Sequence, residues 1–308
     1  MSSRADLHSD DASSGGESSG RGSAASAAPA PAAASDAPAY EFWPAERAAA
    51  AAKAGLRLTV DGELATVVLD RPAKRNAMTP AMWWQLAEMG RALPGTVRAV
   101  LLRAEGPSFS AGLDRSVLVA EDGAAGRPKS KTLIDLASSD PADAELTIEA
   151  FQEAYTWWRR SDLISVAAVQ GHAIGAGFQL ALACDLRIVA DDARFAMREI
   201  SLGLVPDLGG TKPLTDLVGY GRALEICATG RYVDAAEAER IGLANRVVPA
   251  EDLALDAQVF VRELLAADRD ALIETKALIR GAGERGYDAQ RAAERAAQVR
   301  RIRALAQR

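Results

Sequence analysis

Hydrophobic and polar residues alternate in two short segments near position 60, LRLTVDG (56–62) and LATVVLD (64–70). A repeat of two residues is typical of a half-buried β-strand. The dipeptide Asp61-Gly62 between the segments is a strong hairpin signal. We therefore predict a β-hairpin over residues 56–70.

Longer patterns follow downstream of the hairpin. Apolar residues recur with helical spacing over Pro80–Ala92 and again over residues 146–161, which predicts two amphipathic helices. Continuous apolar segments are typical of strands buried on both faces. They occur at 97–106, 164–171 and 185–192, with a short edge strand or turn at 193–197. The polar segment 121–145 is predicted to be a mobile loop.

The C-terminal part of the chain is helical in character. Short helical patterns run over residues 211–265, and residues 266–308 are rich in Ala, Arg and Glu, which predicts long terminal helices. Strands that alternate with helices indicate a wound α/β fold. We divide the chain into a tail (1–40), an α/β core (41–245) and a C-terminal helical segment (246–308).

The tail differs in composition from the rest of the chain. Residues 1–40 are dominated by Ser, Ala, Gly, Pro and Asp, so too little apolar surface is available to offset the entropy of ordering. We expect a disordered tail. Its acidic residues argue against a transit peptide, and it lacks the apolar core of a signal peptide. No segment of about 18 apolar residues predicts a membrane span, so we expect a cytoplasmic protein.

Composition excludes several classes of function. The net charge of −6 over 308 residues disfavours a nucleic-acid partner. Two cysteines and two histidines are too few for a disulfide framework or for a site built from several imidazoles or thiolates. We therefore expect no metal site.

The glycine-rich segment GHAIGAGFQLALACD (171–185) raises the question of what lies against its glycines. A dinucleotide phosphate is disfavoured, because Leu180 stands where the fingerprint needs a third small residue. A turn that only packs into a helix stays open. A second glycine turn, SFSAGLD (108–114), follows another predicted strand. Two such turns can each aim one backbone N–H at the same point, as an oxyanion hole requires.

Two carboxylates occur in the otherwise apolar segment MREISLGLVPDLGG (197–210). Apolar surroundings disfavour a charged carboxylate and move its pKa towards the range that suits proton transfer. Glu199 and Asp207 are therefore candidate acid/base groups. The alternatives are a surface side chain or a partner of Arg198 for Glu199, and an ordinary turn residue for Asp207.

Four segments together resemble the enoyl-CoA hydratase/isomerase family, also called the crotonase family, over residues 56–280. They are LDRPAKRNAM (69–78), PSFSAGLD (107–114), VQGHAIGAGFQLALACDLRIVADDARFAM (169–197) and EISLGLVPDLGGTKPL (199–214). The resemblance implies a spiral of ββα units, and a C-terminal helical segment that assembles homotrimers or homohexamers. It implies an acyl-CoA substrate and no cofactor beyond the coenzyme A of that substrate.

The same resemblance assigns site residues by motif. The backbone N–H groups of Leu113 and Ala176 would form the oxyanion hole. Residues expected to contact the substrate are Ala111, Gly112, Asp114, Gly175 and Lys276. For Lys276, a solvated position on a helix is the alternative.

The carboxylates of the motifs bear on which reaction is expected. Family hydratases carry two glutamates, but Gln179 occupies the first position here, and an amide is no general base. Glu199 matches the second glutamate, and Asp207 matches an acid of the dienoyl-CoA isomerases. We expect double-bond isomerisation through Glu199. The alternatives are a hydratase in which Gln179 and Glu199 position water, and a non-catalytic acyl-CoA-binding protein.

Overall fold

The computed structural model describes residues 42–117 and 136–307 of the chain. These described residues belong to one compact unit. The predicted tail (1–40) and most of the predicted loop (121–145) lie outside the described residues. The separation of a core (41–245) from a helical segment (246–308) stays a prediction.

Nine strands, ten α-helices and four short 3-10 helices are assigned in the described residues. The strands are β1 (Leu56–Asp61), β2 (Leu64–Leu69), β3 (Ala99–Ala104), β4 (Ile164–Val169), β5 (His172–Ile174), β6 (Leu186–Ala190), β7 (Arg194–Ala196), β8 (Val233–Asp234) and β9 (Arg246–Val248). The helices are α1 (Ala45–Lys53), α2 (Pro80–Ala92), α3 (Pro141–Thr156), α4 (Ala176–Ala183), α5 (Thr211–Val218), α6 (Tyr220–Thr229), α7 (Ala235–Arg240), α8 (Leu253–Leu265), α9 (Arg269–Ala282) and α10 (Tyr287–Leu305).

The strands form two sheets. The larger has the order β1-β2-β3-β4-β6-β9, and the smaller has the order β5-β7-β8. Strands β1 and β2 pair antiparallel, which confirms the predicted hairpin. The other neighbours within the large sheet, from β2 through β3, β4 and β6 to β9, are parallel. Parallel neighbours need crossovers, which the helices supply. The predicted wound α/β architecture is confirmed.

Apolar side chains cover both faces of the large sheet. On one face the main core packs against α2, α3 and α4. On the other face, Leu253, Ala257 and Val261 of α8 lie on strand residues that include Val166 and Ile188. This double burial explains why β3, β4 and β6 read as continuous apolar segments.

The sequence patterns missed some elements. The prediction of a loop over residues 121–145 was wrong at its C-terminal end, because α3 begins at Pro141. The Asp140 side chain caps this helix by accepting a hydrogen bond from the Ala142 N–H at 2.9 Å. Strands β8 and β9, inside the region predicted to be helical, have two and three residues. Strands of that length carry no readable periodicity.

The predicted C-terminal helices are confirmed as α9 and α10. Ion pairs join them, including Arg300 with Glu274 at 2.6 Å. Apolar side chains remain exposed on both helices, among them Ile279, Ile302 and Leu305. Within the described ranges, no helix combines the length and the apolar character needed to cross a membrane.

Candidate active site

The two glycine turns of the sequence lie in contact. Ser110 donates its N–H to the carbonyl of His172 at 2.8 Å and accepts from the N–H of Ile174 at 3.0 Å, so the turn 108–114 runs beside β5. A Cβ on Gly112 would lie 2.6 Å from the Ile174 carbonyl oxygen and 3.8 Å from the Ala176 nitrogen. Only glycine permits this approach, and its φ of +86° also requires glycine.

The hydrogen bonds around Leu113 determine where its N–H points. Met78 donates to the carbonyl of Gly112 at 2.7 Å and accepts from the N–H of Asp114 at 2.8 Å. In this parallel bridge, Met78 bonds the residues on either side of Leu113, so the Leu113 N–H points away from Met78. Ala176 is the first residue of α4, where an N–H has no partner within the helix. The two donors therefore belong to adjoining turns.

Helix α4 is short and fully buried, so its ends need partners. At its C-terminal end, Arg159 donates to the carbonyls of Leu182 and Ala183. Arg187, which is 1% exposed, donates to the carbonyls of Ala181 and Cys184. Two guanidinium groups thus satisfy the carbonyl end, and their charge complements the negative end of the helix dipole. At the opposite end, where α4 begins at Ala176, no side chain of the described residues caps the backbone N–H groups.

Glu199 lies beside this amide end. Gly175 adopts φ +49° and ψ −119°, and a Cβ there would come within 3.2 Å of Oε1 of Glu199. The Gly175 N–H donates to the carbonyl of Ala196 at 2.8 Å, which fixes the turn. The side chain of Glu199 is therefore turned inward, and the alternative of a surface side chain is wrong.

Gln179 holds one oxygen of that carboxylate. Its Nε2 donates to Oε1 of Glu199 at 2.7 Å, while its own oxygen accepts the N–H groups of Leu208 at 2.9 Å and Gly210 at 3.2 Å. Two backbone donors require an oxygen at that position, so the amide orientation follows from the network. Among the described residues, Oε2 of Glu199 is buried and has no hydrogen-bond partner.

Burial sets the acidity of both carboxyl groups. It raises the pKa of Glu199 above its ordinary value, against the lowering effect of the Gln179 hydrogen bond, and the charge of Asp207 raises it further. Burial also raises the pKa of Asp207. The backbone carbonyl of Asp207 accepts from Nε2 of Gln152 at 2.6 Å, which ties this segment to α3. A carboxyl group with a raised pKa, next to the amide end of α4, can accept a proton and return it.

The predicted substrate-contact residues differ in what their side chains do. The Asp114 carboxylate accepts from Arg71 at 3.1 Å and from Ser116. The ammonium group of Lys276 donates to Asp185 and to two backbone carbonyls, each at 2.7 Å. Both charged groups are engaged with the protein itself, and their contact with substrate stays a prediction.

Ala111 is held by its backbone. Its N–H donates to the carbonyl of Arg75 at 2.8 Å, which fixes the turn 108–114 just before Gly112.

His172 lies in β5, with its ring against Tyr232. Tyr155 was missed by the sequence reasoning, although burial and the charges of Asp207 and Glu199 raise its pKa. The sequence marks Tyr155 only as an aromatic residue on a predicted amphipathic helix.

Comparison with known proteins identifies the family. A family model described as "Enoyl-CoA hydratase/isomerase" matches residues 59–306. The chain belongs to this family. The resemblance and the prediction of an enzyme of this class are confirmed.

Named relatives include both hydratases and isomerases. "Probable enoyl-CoA hydratase echA8" of Mycobacterium leprae (strain TN) is 33% identical over 221 residues, which cover 70% of this chain and 77% of the relative. The mitochondrial "Delta(3,5)-Delta(2,4)-dienoyl-CoA isomerase" of Dictyostelium discoideum is 30% identical over 200 residues, covering 62% of this chain and 64% of the relative.

Solved structures agree with the fold. A protein from Thermobifida fusca YX, described as "a putative enoyl-CoA hydratase" and bound to CoA, superposes with a TM-score of 0.78 at 46% identity. The match covers 86% of this chain and 98% of that one. The same protein bound to acetoacetyl-CoA gives a TM-score of 0.77 at 47% identity, covering 85% and 98%. The predicted crotonase-type α/β fold is confirmed.

Among the described residues no cluster of His, Cys, Asp and Glu has the arrangement of a metal site.

Proposed function

We propose that this chain shifts a carbon–carbon double bond within an enoyl-CoA thioester, with Glu199 as the acid/base group. One observation carries the proposal. Oε1 of Glu199 is held by Gln179, whereas Oε2 is buried without a hydrogen-bond partner among the described residues. A buried carboxylate with one fixed and one free oxygen is suited to take a proton from carbon and return it.

The reaction moves one proton from C2 to C4 and shifts the double bond from C3–C4 to C2–C3. The thioester oxygen would accept hydrogen bonds from the N–H groups of Leu113 and Ala176. Glu199 would remove the C2 proton of a 3-enoyl-CoA, and the C–H electron pair would spread to the thioester oxygen and to C4. The proton then returns to C4 and leaves a C2–C3 double bond. Each amide donor contributes roughly 3 kcal/mol to stabilising the enolate.

The relatives support the substrate class. The Thermobifida fusca protein binds CoA and acetoacetyl-CoA, which favours an acyl-CoA ligand here, with no cofactor beyond that coenzyme A. The dienoyl-CoA isomerase of Dictyostelium discoideum favours double-bond movement. Asp207 would assist as a second carboxyl group. Exposed apolar residues on α9 and α10 favour assembly into a homotrimer or homohexamer.

Hydration is the second candidate, because several relatives are named as hydratases. In that reaction Gln179 and Glu199 would jointly hold a water molecule. The oxygen of Gln179 already accepts two backbone N–H groups, so only its Nε2 has a hydrogen left to offer. Position 179 therefore offers a water molecule a hydrogen-bond donor and no base. The geometry therefore favours isomerisation.

Two substrates distinguish the candidates. Purified protein is mixed with a 3-enoyl-CoA, and conjugation is followed by absorbance, while crotonyl-CoA reports water addition by loss of absorbance. We expect conjugation to be the faster reaction. Faster hydration would refute the isomerase assignment. A rise in melting temperature with acyl-CoA but no turnover of either substrate would leave a binding protein.

The variant Glu199→Gln tests the acid/base group. It keeps the shape and the contact with Gln179 but cannot exchange a proton, so we expect isomerisation to fall by at least about a hundredfold with acyl-CoA affinity retained. Glu284→Gln, at an exposed position between α9 and α10, is the matched control. Full activity of Glu199→Gln would overturn the assignment.

A further inference from the structure

Asn76 adopts a backbone conformation that residues with side chains rarely take. Its φ is +52°, and the φ of the preceding residue, Arg75, is +49°. Asparagine tolerates the left-handed region better than most residues, but two residues other than glycine in succession are uncommon there. Such a backbone persists only where the surrounding contacts impose it. Asn76 is also 0% exposed, so those contacts come from within the protein.

The side-chain amide of Asn76 joins three segments of the chain. Its oxygen accepts the N–H of Arg71 at 2.8 Å, and its Nδ2 donates to the carbonyls of Glu105 and Ser108, each at 2.9 Å. Glu105 directly follows β3, and Ser108 begins the glycine turn 108–114. One acceptor and two donors are engaged at once, which neither a carboxylate nor a single hydroxyl can reproduce.

The backbone of Asn76 extends this connection towards the Leu113 N–H. The Asn76 carbonyl accepts the hydroxyl of Ser110 at 2.8 Å, and the same hydroxyl oxygen accepts the Gly112 N–H at 3.2 Å. Ser110 is 0% exposed, like Asn76. Two hydrogen bonds in series therefore connect Asn76 to the residue immediately before Leu113.

Ser110 also lies against the second glycine turn. A Cβ on Gly177, the second residue of α4, would come within 2.5 Å of the Cβ of Ser110. Ser110 is thus packed against the start of α4 while its hydroxyl holds the turn of Leu113. Its position determines how closely that turn approaches Ala176.

We propose that Asn76 is a positioning residue, which acts through Ser110 to hold the N–H groups of Leu113 and Ala176 where both can bind one thioester oxygen. The inference rests on the oxyanion hole of the proposed function but not on the reaction that follows. Because Asn76 is 0% exposed, its effect reaches the substrate only through these donors. Displacing a reacting group by about 1 Å can lower a rate by about a hundredfold.

The thioester carbonyl of a bound ligand reports the positioning without turnover. Hydrogen bonds to a carbonyl oxygen lower its stretching frequency, which infrared difference spectra measure for hexanoyl-CoA labelled isotopically at that carbonyl. With the unaltered protein, we expect the band of bound ligand to lie below that of free ligand. In Asn76→Gly, which permits the positive φ but removes the amide, the band should return towards the free frequency. Ser110→Ala should have a smaller effect in the same direction.

Turnover provides a second measurement. For a 3-enoyl-CoA, kcat should fall by about a hundredfold in Asn76→Gly with KM nearly unchanged, because the donors matter most in the transition state. A role confined to stability would lower the unfolding midpoint but leave the carbonyl band and kcat of the folded protein unchanged.

The same two changes at other positions are the matched controls. In Asn245→Gly, a side-chain oxygen that accepts the Arg187 N–H at 2.8 Å is lost. In Ser165→Ala, a hydroxyl on a residue that is 0% exposed is lost, which donates to the Trp158 carbonyl at 2.7 Å and accepts the Asp185 N–H at 2.9 Å. Both controls should keep the carbonyl band and kcat.

Unmoved carbonyl bands in Asn76→Gly and Ser110→Ala would overturn the proposal, as would equal displacement in the controls. If Asn76→Gly does not fold, the band of Ser110→Ala decides. A band that does not shift when the unaltered protein binds the ligand, or absence of binding, would also overturn it. If the bands move as expected but no 3-enoyl-CoA is isomerised, the positioning role stands and only the proposed reaction fails. Isomerisation with unmoved bands in the variants refutes the positioning role alone.

Discussion

Replacing Gln179 by Glu introduces a second carboxylate against the first. The side chain at position 179 is 1% exposed and contacts Glu199 at 2.7 Å between Nε2 and Oε1. A carboxylate can still accept the N–H groups of Leu208 and Gly210, so the variant should keep the local backbone. Its other oxygen, however, would face Oε1 of Glu199 with no hydrogen between them.

The electrostatic cost follows from that contact. With the oxygens at hydrogen-bond distance, the two charge centres would lie roughly 4 Å apart, and their repulsion is about 4 kcal/mol at an effective dielectric constant near 20. That free energy corresponds to an increase of about three pKa units for the pair. The pair would share a proton to a much higher pH than Glu199 alone.

The sign of the effect on rate follows from the role of Glu199. Isomerisation needs the ionised carboxylate, so activity is lost as pH falls through its pKa. In Gln179→Glu we expect the acidic limb of the kcat/KM profile for a 3-enoyl-CoA to move up by about three units. Gln179→Met has similar length and no charge, and should move the limb far less. An unchanged limb, or equal shifts in both variants, would refute the reasoning.

Three further outcomes follow from the site. Asp207→Asn removes a charge that raises the pKa of Glu199, so the acidic limb of the same profile should move to lower pH. Gly175→Ala puts a Cβ at φ +49° and 3.2 Å from the Glu199 carboxylate, and kcat should fall by about a hundredfold if the adjoining amide donor is displaced. Lys276→Met leaves Asp185 without its buried ammonium partner, and denaturant unfolding should show a loss of about 3 kcal/mol. An unaltered limb, an unaltered kcat or an unaltered unfolding midpoint would contradict each in turn.

The sequence predicted most of the large sheet, because a strand buried on both faces leaves an uninterrupted apolar segment. Residues 97–106 and 164–171 were read in this way and contain β3 and β4. Edge elements are different, since β9 has three residues and is set by its pairing with β6. No local pattern records such pairing.

The same distinction between local patterns and long-range contacts applies to the residues of the candidate site. The two glycine turns were readable because glycine is required where backbones approach closely, as Gly112 does to Ile174. Tyr155 could not be predicted as a site residue, because its place at the site depends on how α3 packs beside the segment of Asp207. The contact of Lys276 with Asp185 spans 91 residues and is likewise invisible to local patterns.

Gln179 illustrates why one substitution within a motif changes what a site can do. A glutamate there would add a second base, but an amide has both an acceptor and a donor end. Its acceptor end fixes the segment at Leu208 and Gly210, and its donor end fixes one oxygen of Glu199. In the described part of the chain, a single carboxylate oxygen is therefore left without a hydrogen-bond partner, at a turn whose geometry Gly175 sets. Moving a proton between two carbons needs one such oxygen, whereas adding water needs a second group to activate it.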